Sequence, residues 1–280
     1  MRSRVLQGKA VTQTDQSARG QSGAGASLAW GVRPEGFTRL VDGEGNRLVV
    51  RQDQIQYVNF SLCVDGPAKV DGESHYYGRG TIRLRHLANG ETAVIRRYLH
   101  GGALRRLTRA CFFTWPPRPF RELAITEELR RRGLRTVEVY AACISRPTGP
   151  FYRGWLITRQ LPGAEDLWSA LRSGLAERLG LERALEIVGE SVAALHREGV
   201  YHADLNLKNI LLRAEESSIA AYIIDFDKAK LLLGQLPPSL RTKNLARLER
   251  SIRKLDPERR FFTAAAWDRF MSCYHAACRS

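Results

Sequence analysis

Cysteine is sparse in this chain and has no framework spacing: Cys63, Cys111, Cys143, Cys273 and Cys278 make an odd set, and no two form C-x-x-C. That excludes a disulfide scaffold and a thiolate zinc site, and it points to a reducing compartment. Long apolar runs are missing too. The longest uncharged run, Gly20 to Val32, is rich in Gly, Ser and Ala and too short to cross a bilayer. Met1 to Ala10 carries charge without the apolar centre of a signal peptide. The expectation is a cytoplasmic protein.

Acidic residues are outnumbered. Lys and Arg total 44 against 29 Asp and Glu, a formal charge of +15. Arg96 to Arg135 holds eleven basic and three acidic residues, and Arg241 to Arg260 holds eight and three. A face of that kind seeks a polyanion, whether nucleic acid, phospholipid or phosphorylated substrate, or is simply a solvated basic surface.

Three regions follow from composition and pattern. Residues 1–27 are Gly/Ser/Gln-rich with few large apolar side chains and read as a flexible tail. Residues 28–160 carry short β-type runs: Leu48-Val49-Val50, Tyr57 to Phe60, Val137 to Ile144 and Trp155 to Thr158, with Gly43 to Asn46 as a turn. Within them, Asn89-Gly90 separates Tyr76–Leu84 from Thr92–Tyr98 and predicts a hairpin. A helix is predicted over Phe120–Arg132, ending at Gly133. Residues 161–280 form the third region, entered through Gln160-Leu161-Pro162-Gly163. There Leu181, Leu185, Val188, Val192 and Leu195 recur at spacings of 4, 3, 4 and 3, one stripe of an amphipathic helix. His196, at its end, is expected at the surface or as a cap.

The chemistry concentrates after that helix. His202-Ala203-Asp204, then Asn209, an apolar run, a turn, a second apolar run and Asp225-Phe226-Asp227 read H-x-D-x(4)-N followed by D-F-D. Phosphoryl transfer needs such a set: Asp204 orients a hydroxyl nucleophile, while Asn209 and Asp225 hold Mg²⁺ on the phosphates of ATP. His202 reads as a loop holder rather than a base. Upstream, Gly78-Arg79-Gly80 fits a loop covering phosphates, since glycine lets backbone approach them. Arg96, one hairpin later, stands where a phosphate-binding lysine is usual, with Arg97 on the opposite strand face. Glu122 and Glu127 are both candidates to brace that cation, and Glu122, earlier in the helix, is preferred. Adenine is expected on backbone groups near Thr158 to Leu161.

The run Tyr76–Arg97, the helix over 120–133 and the pair HADLNLKNILL and IIDFDKAK resemble the lipopolysaccharide kinases, most of all the 3-deoxy-D-manno-octulosonic acid (Kdo) kinases. The resemblance spans roughly Tyr76 to Lys254. It implies an α+β, bilobal protein-kinase-like fold, with an antiparallel-sheet N-lobe and a shortened, mainly helical C-lobe. It also implies transfer of the ATP γ-phosphate to a sugar hydroxyl on a growing lipid A core. By position, Asp204 matches the catalytic carboxylate, Asn209 and Asp225 the metal pair, and Arg96 the strand cation.

Departures from protein kinases sharpen the expectation. Asn206 stands where those enzymes have lysine, so charge relief at the γ-phosphate falls to Lys208 or Arg79. Asp227 replaces the glycine of D-F-G, no A-P-E follows, and the remaining chain is short for a peptide-binding lobe; no protein substrate is expected. The acceptor expected is Kdo on a lipid A precursor, reached from the cytoplasmic face of the inner membrane by peripheral attraction to its anionic surface. A core heptose kinase, or a kinase for another small molecule, is the alternative. A nucleic-acid-binding protein would account for the charge but not for the magnesium set, and no stacking motif is present. A silent kinase-like scaffold would be expected to lack Asp204, Asn209 or Asp225.

Overall fold

A computed structural model describes residues 12–13, 31–63, 82–99, 111–148, 150–216 and 218–279. The chain falls into two compact units, Met1–Ala124 with Val139–Gln160 and Ile125–Glu138 with Leu161–Ser280.

The first unit is built on a seven-stranded antiparallel sheet. Its strands are β1 (Thr12–Gln13), β2 (Phe37–Val41), β3 (Arg47–Arg51), β4 (Ile82–His86), β5 (Thr92–Arg97), β6 (Val139–Thr148) and β7 (Phe151–Arg159), in the order β1-β2-β3-β6-β7-β5-β4. The predicted hairpin is β4–β5: Gly90 takes φ +82° and its N–H closes onto Leu87 O at 3.0 Å. Asp42 shapes the β2–β3 turn, its Oδ1 accepting the N–H of Glu44 and of Asn46.

Alternation along β5 sets its two faces. Ala93 and Ile95 enter one apolar cluster with Leu48, Cys143 and Trp155, while Tyr98 enters another with Phe120, Leu123 and Leu156. Phe120 and Leu123 come from helix α1 (Arg118–Arg131). The helix stops at Gly133, φ +82°, with Leu134 N–H on Leu129 O and Gly133 N–H on Arg130 O.

One predicted strand is absent. Tyr57 to Phe60 runs through a turn into a 3₁₀ helix at Phe60–Cys63. The N–H groups of Tyr57 and Val58 both close locally on Gln54 O, and Asn59 Oδ1 takes the N–H and the hydroxyl of Ser61. Those local bonds leave no ladder to join, yet Val58 and Cys63 still bury against the sheet.

The second unit contains β8 (Glu165–Asp166), helices α2 (Leu167–Arg172), α3 (Leu175–Arg178) and α4 (Leu181–Arg197), β9 (Val200–Tyr201), β10 (Ile210–Ala214), β11 (Ile219–Ile223), β12 (Lys230–Leu231), and helices α5 (Pro238–Leu255) and α6 (Ala264–Arg279). The α4 stripe lies where the periodicity puts it: Leu185, Val188, Val192 and Leu195 are buried and Leu181 packs against them. Helix α6 approaches α4 closely at Gly189, where an added Cβ would stand 2.9 Å from Phe270 O. From α5, Leu248 and Ile252 enter the same core with Leu245 and Leu255 beside them.

His196 is neither a cap nor at the surface. It is fully buried, with Nδ1 2.9 Å from Tyr274 Oη and Nε2 3.2 Å from Asn244 Oδ1. It stands four residues after Val192, on the buried stripe itself, and α5 and α6 cover the helix end. Burial pushes its pKa down to about 4, so the ring is neutral near pH 7.

Candidate active site

Asp204, Lys208, Asn209 and Asp225 all lie in the second unit, on the segment linking β9 to β10 and just after β11. The segment is short and polar, and its bonds close on themselves. Asn209 Nδ2 and Asn206 Nδ2 both donate to Asp204 O at 2.8 Å. Asn206 Oδ1 in turn accepts Lys208 N–H at 2.9 Å, making the 3₁₀ turn Leu207–Asn209. The Asp204 carbonyl is therefore held by two amides, while the residue is exposed to solvent. Lys208 is also exposed.

Behind the loop sits His202, buried to 1% exposure and tilted against Phe226 with ring centroids 5.2 Å apart. Its Nδ1 accepts Asp204 N–H at 3.2 Å, which leaves the ring proton on Nε2 to donate to Ile224 O at 3.0 Å. Burial lowers its pKa, so the neutral tautomer with two fixed backbone partners is the stable one. The sequence-based reading of His202 as a loop holder matches this geometry.

Ile224 is gripped on its other side as well, its N–H donating to Asn209 O at 3.0 Å. Asp225 follows directly, half-buried, in a left-handed conformation with φ +68°. A non-glycine residue there is uncommon, though Asp tolerates it better than most, and such residues gather at functional sites. Phe226 is anchored in the apolar core, and Asp227 is buried. The amide oxygen of Asn209 and the carboxylate of Asp225 thus belong to two segments tied directly to one another. Both are hard oxygen donors of the kind Mg²⁺ accepts alongside substrate phosphates.

In the first unit, Arg96 and Glu122 meet. Arg96 Nη2 is 2.5 Å from Glu122 Oε1, and Glu122, 1% exposed, also accepts the hydroxyl of Tyr98. The Arg96 guanidinium lies over the Tyr98 ring at 4.9 Å. Arg97 points to the other face, 5.9 Å above Trp155. Glu127 pairs instead with Arg130 one turn along α1, at 3.2 Å. Of the two glutamates weighed, only Glu122 faces the strand cation. Gly78, Arg79 and Gly80 lie outside the described residues.

Two contributors escaped the sequence reading. Tyr98 stands two residues after Arg96, on the same strand face, and that period is the signal that could have found it. Asn244 on α5 touches His202 from a distance of 42 residues, and no local pattern announces it.

The model of the lipopolysaccharide kinase (Kdo/WaaP) family matches residues 69–274. The chain is 34% identical over 214 residues to the 3-deoxy-D-manno-octulosonic acid kinase of Xylella fastidiosa (strain 9a5c), 74% of this chain and 80% of that one. It is 34% identical over 180 residues to the protein of the same description from Vibrio vulnificus (strain YJ016), 63% of this chain and 71% of that one. Among solved structures, WaaP in complex with acyl carrier protein aligns over 74% of this chain and 79% of that chain, at 20% identity and a TM-score of 0.49.

Proposed function

The chain belongs to the lipopolysaccharide kinase (Kdo/WaaP) family, and from that premise we propose that it transfers the γ-phosphoryl group of ATP to a hydroxyl of Kdo in the lipid A–core of lipopolysaccharide. One observation carries the chemistry: Asp204, Asn209 and Asp225 stand on segments joined by direct hydrogen bonds, with Asp204 exposed to an incoming hydroxyl. The acceptor rests on the similarity to relatives described as 3-deoxy-D-manno-octulosonic acid kinases.

Asp204 accepts the proton of the sugar hydroxyl as that oxygen forms its bond to the γ-phosphorus and the bond to the ADP oxygen breaks. Asn209, whose Nδ2 is committed to Asp204 O, offers its Oδ1, and Asp225 its carboxylate, to Mg²⁺. When bound, the ion neutralises charge on the phosphate oxygens. Lys208, exposed on the same turn, adds positive charge for the transferred group. In the first unit Arg96, braced by Glu122, serves the nucleotide phosphates. A sheet unit and a mainly helical unit are the parts of an α+β, protein-kinase-like fold.

The acceptor is anchored in a membrane, and no helix among the described residues is long and apolar enough to cross one. Peripheral attraction to the anionic cytoplasmic face of the inner membrane supplies the encounter. Lys243, Arg250, Arg253 and Lys254 stand exposed on α5, opposite its buried Leu248 and Ile252.

The deciding experiment incubates purified protein with γ-labelled ATP and Kdo-bearing lipid A precursor, with the product read by mass spectrometry. Phosphate on Kdo is the expected result. Phosphate on heptose, on protein, or nowhere would overturn the acceptor assignment.

A further inference from the structure

A single side chain on α5, Asn244, grips the loop that carries Asp204. Its Oδ1 accepts His202 N–H at 3.0 Å and its Nδ2 donates to His202 O at 2.8 Å, so one amide engages both polar groups of one residue. An amide suits this because it offers an acceptor and a donor side by side on separate atoms; an ionised carboxylate lacks the donor. The second lone pair of Oδ1 takes the proton of His196 Nε2 at 3.2 Å, and Tyr274 Oη completes the chain at His196 Nδ1, 2.9 Å. Asn244 and His196 are fully buried and Tyr274 is 2% exposed, so water is not available to replace these partners.

The grip matters because of what His202 does next. With its backbone fixed to α5, its ring reaches Asp204 N–H with one nitrogen and Ile224 O with the other. A shift of His202 therefore moves the base and the peptide preceding Asp225 together. A second, weaker tie comes from the same helix, where Ser251 Oγ accepts Leu207 N–H at 3.3 Å. Tyr274 and His196, by contrast, join helices to one another and meet the loop through Asn244.

We infer that Asn244 is the positioning residue of the phosphoryl-transfer reaction: it sets the backbone of His202, and through His202 the relative placement of Asp204 and Asp225. This rests on the kinase reading above, which names Asp204 and Asp225 as the working groups.

The test compares Asn244→Leu, Asn244→Ser and Tyr274→Phe by three measurements: thermal midpoint, kcat and KM for ATP well below that midpoint, and amide exchange of the peptide containing His202. Asn244→Leu keeps the branched shape and loses both hydrogen bonds to His202 and the one from His196; it is expected to lower kcat by about 10- to 100-fold, the cost of a misplacement near 1 Å, with KM for ATP changed by less than about 3-fold. Asn244→Ser is read in the same way and decides the matter if the leucine variant does not fold. Tyr274→Phe should lose stability with kcat within about 2-fold of wild type. Exchange around His202 should quicken in the Asn244 variants and not in Tyr274→Phe. The inference is overturned if folded Asn244 variants keep wild-type kcat, if kcat merely tracks the thermal midpoint across all three variants, or if His202 exchange is unchanged. Absence of transfer by the wild type would sink the kinase reading instead, while the exchange measurement still judges the grip.

Discussion

Asn209 Nδ2 donates to the backbone oxygen of Asp204 at 2.8 Å, so the amide proposed to hold the cation through its oxygen restrains the proposed base through its nitrogen. On the proposed reading, metal holding and base placement are joined in one side chain. Asp204→Asn should keep the fold and lower kcat by about 10²- to 10⁴-fold, the usual worth of a positioned general base. Asn209→Asp retains an oxygen ligand but removes the donor to Asp204 O. It should lower kcat by about 10- to 100-fold and alter the magnesium titration, whereas Asp204→Asn should leave that titration nearly unchanged. Equal magnesium titrations in Asn209→Asp and wild type would separate Asn209 from the metal.

Arg96 and Glu122 make a charge pair of unequal burial, with 25% of the arginine side chain and 2% of the glutamate exposed. Arg96→Ala should raise KM for ATP more than KM for the acceptor, and Arg97→Ala, over Trp155 on the opposite face, should do much less. Arg96→Ala also takes the ion-pair partner away from the buried Glu122 and should lower stability in urea unfolding. Similar kinetic effects at both arginines would point to general surface charge.

His196 gives the fold a pH dependence of definite sign. Its native pKa of about 4 lies below the ordinary 6.5, so the unfolded chain takes up the proton first. The stability this contributes is full above about pH 6.5, falls as the pH drops toward about 4, and amounts to about 3 kcal/mol over that window. His196→Gln should unfold more easily at pH 7.5 yet show a shallower decline between pH 6.5 and 4. Parallel denaturation profiles for the two proteins would refute the assignment.

Binding to vesicles should be electrostatic. Each exposed cation near an anionic surface is worth about 1 kcal/mol, and screening sets in within about 8–10 Å at moderate salt. Affinity for phosphatidylglycerol vesicles should fall steeply between low and physiological salt, and replacing Lys243, Arg250, Arg253 and Lys254 by glutamine should remove most of it. Salt-insensitive binding would indicate apolar insertion instead.

Much of this architecture was legible in advance, for reasons that differ by element. The α4 stripe and the Asn89-Gly90 hairpin are local patterns, and local patterns survive into the structure. Asp204, Asn209 and Asp225 were picked out by spacing, and the structure ties their segments together. Burial at a helix end depends on what covers it, and the covering side chains come from helices far along the chain; hence the misreading of His196. Asn244 was invisible for the same reason, being one of several uncharged polar residues on a helix rich in basic ones. Tyr57 to Phe60 had strand composition, but Gln54 and Asn59 satisfied its backbone before a neighbouring strand could.

The close contact between α4 and α6 also has a bearing on synthesis. His196 and Tyr274 are 78 residues apart, and a ribosome adding roughly 5–20 residues per second needs about 4–16 seconds to cover that interval. Throughout it, the face of α4 around Gly189 and His196 lacks its cover from Phe270 and Tyr274. A nascent chain arrested before residue 264 therefore presents an unfinished apolar surface, the kind that holdase chaperones bind, and release should coincide with emergence of α6.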